Sequence, residues 1–328
     1  MRVLLVKMSS LGDVIHALPA LTDAARALPG IRCDWVVEEA FAEIPGWHPA
    51  VGEVIPIALR RWRKHPFRDF RGPEWQQCKA ALRRHPYDRV IDAQGLLKSA
   101  FVARLVRAPV WGLDRASIRE WLAASAYHHH VNVPRQMHAV ERIRMLFARV
   151  LGYPLSRSRG EYGVREQLVP GREGQPPALL FCHGTSRAEK LWPESHWVEL
   201  ARLAAGSGYT VCLPWGCERE RERARRIAGQ AESALVLPRL DLRGVAGMLL
   251  GVDGAVAVDT GLGHLAAALD VPAVSLYGPT STRLVGTYGR NQIHIESPLA
   301  AGDPAARMAA IGAGQVWREL QALLPGRD

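Results

Sequence analysis

Cysteine is sparse in this chain and unpaired in pattern. Its 328 residues include five, Cys33, Cys78, Cys182, Cys212 and Cys217. The number is odd and no C-x-x-C pair occurs, so neither a disulfide framework nor a zinc site is expected, and a reducing cytoplasm is the expected compartment. Long apolar runs are missing as well. Val3-Leu4-Leu5-Val6 gives way at once to Lys7, too short for the core of a signal peptide, and no later run approaches the ~20 residues a spanning helix needs. Any membrane contact is therefore expected to be peripheral. No repeat at solenoid spacing and no low-complexity tract is present. The loop at residues 8–13 holds one glycine where G-x-G-x-x-G needs three, which argues against a nicotinamide cofactor. Acidic residues are in deficit, 32 against 42 Lys+Arg, for a net charge of +10. That balance calls for an anionic partner: nucleic acid, an acidic membrane surface or a phosphorylated substrate.

What is present is an alternation of strands and helices. Hydrophobic content of 48% and charged content of 23% are those of a globular protein with a substantial core, and the length fits two domains. Val3–Val6, Cys33–Val37 and Val90–Asp92 read as buried strands. Met8–Asp13 is a loop, Val14–Leu28 a helix stopped by Pro29-Gly30, and Gly95 a turn leading into another helix. Residues 156–177 are polar and rich in Gly, Arg and Pro, as a linker would be. The alternation then restarts with Ala178–Cys182, Tyr209–Leu213 and Leu235–Leu237 as strands, and Pro193–Ala205 and Glu218–Ile227 as helices. Ala305–Leu324 reads as one amphipathic helix. Such a chain is an α/β protein with parallel sheets.

Gly254–Thr280 is the most telling stretch. Ala255–Val258 is an apolar strand, Asp259-Thr260-Gly261-Leu262-Gly263-His264 a polar glycine-rich loop, Leu265–Leu269 a short helix, and Pro272–Tyr277 the next strand. In a parallel sheet this places the loop at the carboxyl edge, where ligands bind. Glycines allow close backbone approach, and a helix N-terminus directs N–H groups at anions. A phosphorylated, hydroxyl-rich ligand such as a nucleotide sugar suits that chemistry. D-T-G also closes ordinary strand-to-helix turns.

Elsewhere Arg60-Arg61-Trp62-Arg63-Lys64-His65 forms a basic cluster, with Arg119 further on. Three consecutive histidines, His128–His130, cannot all face one metal from a regular element, so a packing or surface role is expected.

The Ser-Ser-Leu-Gly-Asp loop after the first strand, the R-R-W-R-K cluster near residue 60, and D-T-G-x-x-H with Tyr277-Gly278-Pro279-Thr280 together closely resemble the bacterial lipopolysaccharide heptosyltransferases of glycosyltransferase family 9, and within them the type I group. The similarity runs from Met1 to about residue 293. It implies a GT-B fold of two Rossmann-like domains facing a central cleft: 1–160 for the acceptor, a linker at 161–177, 178–304 for the donor, and 305–328 as a helix returning toward the first domain. It implies inverting transfer of L-glycero-D-manno-heptose from ADP-heptose to Kdo of Kdo2-lipid A in inner-core assembly. No cofactor or metal is implied, and the sequence has no D-x-D motif. The enzyme would work in the cytoplasm, peripherally on the anionic inner leaflet of the inner membrane, with no nucleic-acid partner.

On that resemblance Asp13 is the base that takes the acceptor proton, with Ser10 and Gly12 shaping its loop. Lys190 lies at the phosphates and heptose. Thr185, Ser186, Thr260, Gly261 and His264 complete the donor site, Asp259 holds heptose hydroxyls, and Leu240 faces adenine. Glu220 is the ribose ligand, although Glu218 and Glu222 are close enough to leave its register open. Arg60, Arg61, Arg63, Lys64 and Arg119 hold the acceptor anions. Asp13 can equally be an N-cap for the helix at Val14, Lys190 a solvated lysine and Leu240 core. Rival readings are another GT-B nucleotide-sugar enzyme, either a later-step heptosyltransferase or an epimerase, and a basic nucleic-acid-binding protein that stacks bases on Trp62.

Overall fold

Strands buried on both faces are spelled as unbroken apolar runs, because helices cover each side of a parallel sheet. Val3–Val6 and Ala255–Val258 have essentially no exposed surface. The computed structural model describes residues 1–172 and 175–324. It divides into two compact units, Met1–Val164 and Arg165–Asp328.

The first unit contains β1 (Arg2–Val6), β2 (Arg32–Glu38), β3 (Val51–Ile57), β4 (Arg89–Asp92), β5 (Val110–Leu113) and β6 (His129–Val131). They form one sheet in the order β3-β2-β1-β4-β5-β6, parallel throughout. The second unit repeats the plan with β7 (Ala178–Cys182), β8 (Thr210–Leu213), β9 (Ala234–Val236), β10 (Gly254–Val258), β11 (Ala273–Tyr277) and β12 (Gln292–Glu296). Its order is β12-β11-β10-β7-β8-β9, again parallel. Both are doubly wound Rossmann sheets. In each, the order reverses between the first and fourth strands of the unit, and that reversal opens a crevice at the carboxyl ends.

Several boundaries differ from the sequence reading. The expected helix at Val14–Leu28 is two helices, Leu11–Ile15 and Leu18–Ala27. The expected loop at 259–264 is mostly helix, which begins at Gly261 and runs to Ala268. The expected C-terminal helix is broken into Pro304–Ala309 and Ala313–Leu323, where Gly312 supplies the extended N-cap of the second piece. That last helix packs on the helix Glu194–Gly206 and on β10, β11 and β12, within the second unit. The expected linker is packed at both ends. Glu161 pairs with Arg26 at 2.5 Å in the first unit, and the N–H of Gly171 donates to the Gly247 carbonyl at 2.7 Å in the second. Residues 173 and 174 of that linker, and 325–328 of the terminal segment, lie outside the described residues.

Candidate functional site

In the first unit the crevice lies between the loops after β1 and β4. Asp92, fully buried at the end of β4, organises it. Its Oδ1 accepts the N–H groups of Gln94 (2.9 Å) and Gly95 (3.1 Å), and its Oδ2 accepts the hydroxyls of Ser99 (2.8 Å) and Tyr127 (2.7 Å). Burial pushes this carboxyl group's pKa up, against the pull of those donors. Any side chain at Gly112 would run into the Tyr127 ring, so the glycine on β5 is what lets the tyrosine reach Asp92.

Gln94 then ties the two loops together. Its Oε1 accepts from the N–H groups of Met8 (2.9 Å) and Ser9 (3.1 Å), and its Nε2 donates to the Ser9 carbonyl at 2.6 Å. On this frame Asp13 stands at the third position of Leu11–Ile15 rather than before a helix at Val14. The N-cap is Ser10, whose N–H and hydroxyl both donate to Asp13 Oδ2, at 2.8 and 3.0 Å. Lys7 Nζ is 3.5 Å from Asp13 Oδ1 and donates to the Ala93 carbonyl at 3.2 Å. Burial raises the Asp13 pKa, but Lys7's charge and the Ser10 N–H outweigh it and hold it at about 2. The side chain keeps 44% of its surface exposed. Asp13 is thus a partly exposed, ionised carboxylate at the switch point that also closes a capping box with Ser10.

The basic cluster divides into two parts. Arg61 is exposed but engaged by two carboxylates, Glu39 at 3.0 Å and Glu74 at 2.9 Å, so an acceptor anion would have to compete with them for its charge. Trp62 is only 3% exposed; it donates to Glu74 at 2.9 Å and packs edge-on against Phe70 and Trp75. It is a core residue and cannot stack on a base, which removes the main positive feature of the nucleic-acid reading. Arg60, Arg63, Lys64 and Arg119 are exposed, with Arg60 resting over the Phe41 ring.

Sequence reasoning missed Lys98. It lies in the helix Leu97–Arg104 and donates to Ser9 Oγ at 3.2 Å, beside the Asp13 loop. Burial first, then the charges of Arg60 and Arg63, lower its pKa. Lys98 therefore links the exposed arginines to the loop of Asp13. The available signal is a cation at the second position of the helix after the Gly95 turn.

In the second unit the crevice lies between the loops after β7 and β10. Lys190 Nζ is 2.6 Å from Asp259 Oδ2, and both side chains are largely buried. Thr185 Oγ1 donates to the Asp259 carbonyl at 3.1 Å. Thr260 is the N-cap of Gly261–Ala268, without a side-chain cap bond; its carbonyl accepts the Gly263 N–H at 3.1 Å, and the helix N-terminus opens toward the crevice with its positive end. His264 is buried in the same helix, and Ser186 is exposed. Glu220, one turn into the helix Glu218–Ala228, accepts the Gly216 N–H at 2.7 Å. A Cβ at residue 184 would lie 2.5 Å from Glu220 Oε1, so Gly184 leaves the carboxylate its place at the strand ends. Glu218 instead pairs with Arg221 at 3.3 Å, and Glu222 is exposed. Of the three, Glu220 is the one whose carboxylate lies against Gly216 and Gly184. Leu240 is half-buried in the turn before the helix Leu242–Leu250, against Gly244.

Among the described residues, one trio has metal-ligand spacing: Asp34, Glu53 and His85. Its carboxylates are already occupied. Asp34 takes Arg2 at 2.8 Å, the Tyr87 hydroxyl at 2.9 Å and the Glu53 N–H at 2.8 Å, while Arg84 takes Glu53 at 2.6 Å. The histidine run disperses. His128 contacts Arg104 and the Val110 N–H, His129 stacks on Trp111, and His130 meets the Ala124 carbonyl.

Comparison with known proteins agrees with this architecture. The model of glycosyltransferase family 9 (heptosyltransferase) matches residues 75–308. The lipopolysaccharide heptosyltransferase 1 of Pseudomonas aeruginosa is 59% identical over 299 residues, 90% of this chain and 84% of that protein. The structure of the Escherichia coli heptosyltransferase WaaC with ADP superposes with a TM-score of 0.92 at 46% identity, covering 98% of this chain and all of that one. The same enzyme with ADP-2-deoxy-2-fluoro heptose gives 0.87 at 45% identity, covering 97% and 99%. The two doubly wound sheets are those of a GT-B enzyme, and the chain belongs to glycosyltransferase family 9, the heptosyltransferases.

Proposed function

We propose that this protein transfers L-glycero-D-manno-heptose from ADP-heptose to Kdo of Kdo2-lipid A, with inversion and without a metal. The observation that carries the reading is the pair of switch-point sites, an ionised, accessible Asp13 in one unit and the Lys190–Asp259 pair beside a helix N-terminus in the other. In the reaction an acceptor hydroxyl of Kdo forms a bond to the heptose anomeric carbon as the bond to the ADP oxygen breaks. The hydroxyl proton passes to Asp13, and the electron pair of the broken bond leaves on the diphosphate. Lys190, with Thr185, Ser186, Thr260, Gly261 and the N-terminus of that helix, meets the charge that develops there. Asp259 and His264 hold the sugar, Glu220 the ribose and Leu240 the adenine. Ser10 and Gly12 keep the Asp13 loop in shape. Arg60, Arg63, Lys64, Lys98 and Arg119 receive the acceptor's carboxylates and phosphates, for which arginine's planar fork is suited. The protein works on the cytoplasmic face of the inner membrane, held peripherally.

The test is ADP release from ADP-heptose with Kdo2-lipid A, with and without EDTA, and mass analysis of the product. Transfer to Kdo unaffected by EDTA supports the reading. Transfer only to an already heptosylated core would make it a later-step enzyme, and strict dependence on a divalent ion would overturn the account of the leaving group.

A further inference from the structure

Phe67, Leu97, Phe101, Trp121 and Leu122 are large apolar residues left about half exposed or more, Phe67 the most at 84%. All five fall within the first unit, and their supports adjoin. Phe101 stacks on Trp75, and Trp75 packs on Phe70, three residues beyond Phe67. Leu97 opens the helix that carries Phe101, and its N–H donates to Glu120 at 2.7 Å, immediately before Trp121 and Leu122. The 3₁₀ segment Trp121–Ala126 packs along that same helix. Cations border the patch: Arg115 lies 5.9 Å over the Trp121 ring, and Arg63 and Lys64 directly precede the turn that bears Phe67. Scattered exposed hydrophobics need no explanation, whereas a contiguous group rimmed by charge marks an interaction surface.

We propose that this face docks on an anionic lipid bilayer, with Phe67, Leu97, Phe101, Trp121 and Leu122 seated at the headgroup boundary and the bordering arginines and lysines on the headgroups. The occupant is chosen by chemistry. Tryptophan and phenylalanine with Lys and Arg beside them match the interface of a bilayer, where an amphipathic ring and a cation are both satisfied. The inference rests on the reading that the acceptor is a membrane lipid. It adds which face of the protein meets the membrane, and it places that face next to Lys98 and the exposed arginines of the acceptor site.

The experiment is co-sedimentation of the full chain with vesicles of phosphatidylethanolamine and phosphatidylglycerol, and with vesicles of phosphatidylcholine alone. Alongside it, heptose transfer is measured to a deacylated, water-soluble Kdo acceptor. Wild type should pellet with the anionic vesicles and stay in solution with the neutral ones. The triple variant Phe101→Ser, Trp121→Ser, Leu122→Ser should lose binding about tenfold or more while retaining transfer to the soluble acceptor. Should the triple variant fail to fold, the single changes Trp121→Glu and Leu122→Glu ask the same question on the exposed rim. Equal pelleting of variants and wild type, or no pelleting of wild type, overturns the proposal. So does a wild-type dimer that the variants dissolve without any vesicle binding, which would make the patch a contact between copies. Loss of transfer to the soluble acceptor by wild type itself would sink the functional reading and leave the vesicle result standing.

Discussion

Lys190 Nζ and Asp259 Oδ2 stand 2.6 Å apart across the crevice between β7 and β10, so the residue assigned to the diphosphate and the one assigned to the sugar hydroxyls are held as a unit. Both side chains are nearly buried, and such a pair fails as a whole when one member is removed, because the survivor is left as an uncompensated charge. Lys190→Ala should lower kcat by ~10²-fold or more, the range for losing a donor to a developing anion. Asp259→Ala should cost a similar factor. The double variant should be little worse than either single one, since the two act together. Additive losses, read from steady-state kinetics of the three variants, would show that the residues serve separate steps.

Asp13 carries a sharper pH signature. Its folded pKa is depressed to about 2, so its share of stability is complete above the unfolded value near ~4 and is lost as pH falls toward 2. The same depression keeps it ionised across the neutral range, and kcat/KM should show no acid limb from this residue above pH ~3. Lys7→Met removes the opposing charge that contributes most to the depression, so it should lift the acid limb toward an ordinary carboxylate. Asp13→Asn should cut kcat ~10²-fold or more with ADP binding unchanged. A Lys7→Met profile that overlays wild type would detach the acid limb from Asp13.

The division of the basic cluster can be measured as well. Arg60, Arg61 and Arg63 are all exposed, but Arg61 is paired with Glu39 and Glu74, whereas Arg60 and Arg63 act electrostatically on Lys98. Arg60→Ala and Arg63→Ala should each raise the acceptor KM several-fold and leave the donor KM alone, by an amount that shrinks in high salt as exposed charges are screened. Arg61→Ala should leave both constants near wild type and lower Tm slightly. A rise in acceptor KM for Arg61→Ala as large as for Arg60→Ala would return Arg61 to the binding face.

What the sequence made legible follows from how each feature is encoded. β1 and β10 are buried on both sides, so their identity is written in consecutive residues. β3 is hard to read in the sequence because Gly52 and Pro56 interrupt it, which an edge strand tolerates since one side has no ladder to satisfy. β6 was hidden inside the histidine run. The helix starts at Leu11 and Gly261 are masked because polar, glycine-bearing first turns look like loops. Asp13, Lys190 and Asp259 could be named from motifs, but their surroundings could not. Gln94 and Lys98 act on residues more than eighty positions away, and the pairing of Arg61 and the burial of Trp62 are set by Glu39, Glu74 and Trp75, none of which the local cluster announces.

The register among Glu218, Glu220 and Glu222 is where structure adds most to the sequence, and it yields a clean comparison. These residues sit at alternating positions of one helix, so composition and spacing cannot rank them. Glu220 alone turns to the strand ends, accepting from Gly216 at 2.7 Å beside Gly184. Glu218 is turned onto Arg221, and Glu222 is exposed. A ribose needs an acceptor for two vicinal hydroxyls, and a hydrogen bond to a charged group is worth ~1.5–3 kcal/mol. Glu220→Gln keeps the shape and one acceptor oxygen but loses the charge. It should raise the ADP-heptose KM and the ADP Kd about tenfold, the factor equivalent to ~1.4 kcal/mol, with little change in kcat because the ribose is remote from the breaking bond. Glu218→Gln and Glu222→Gln should stay within about twofold of wild type, as exposed charges do. Binding is best read by calorimetry with ADP, and kcat by ADP release at saturating donor. An equal loss in all three variants would mean that the helix acts through its net charge, and a loss confined to Glu222→Gln would require the helix to rotate when the nucleotide binds.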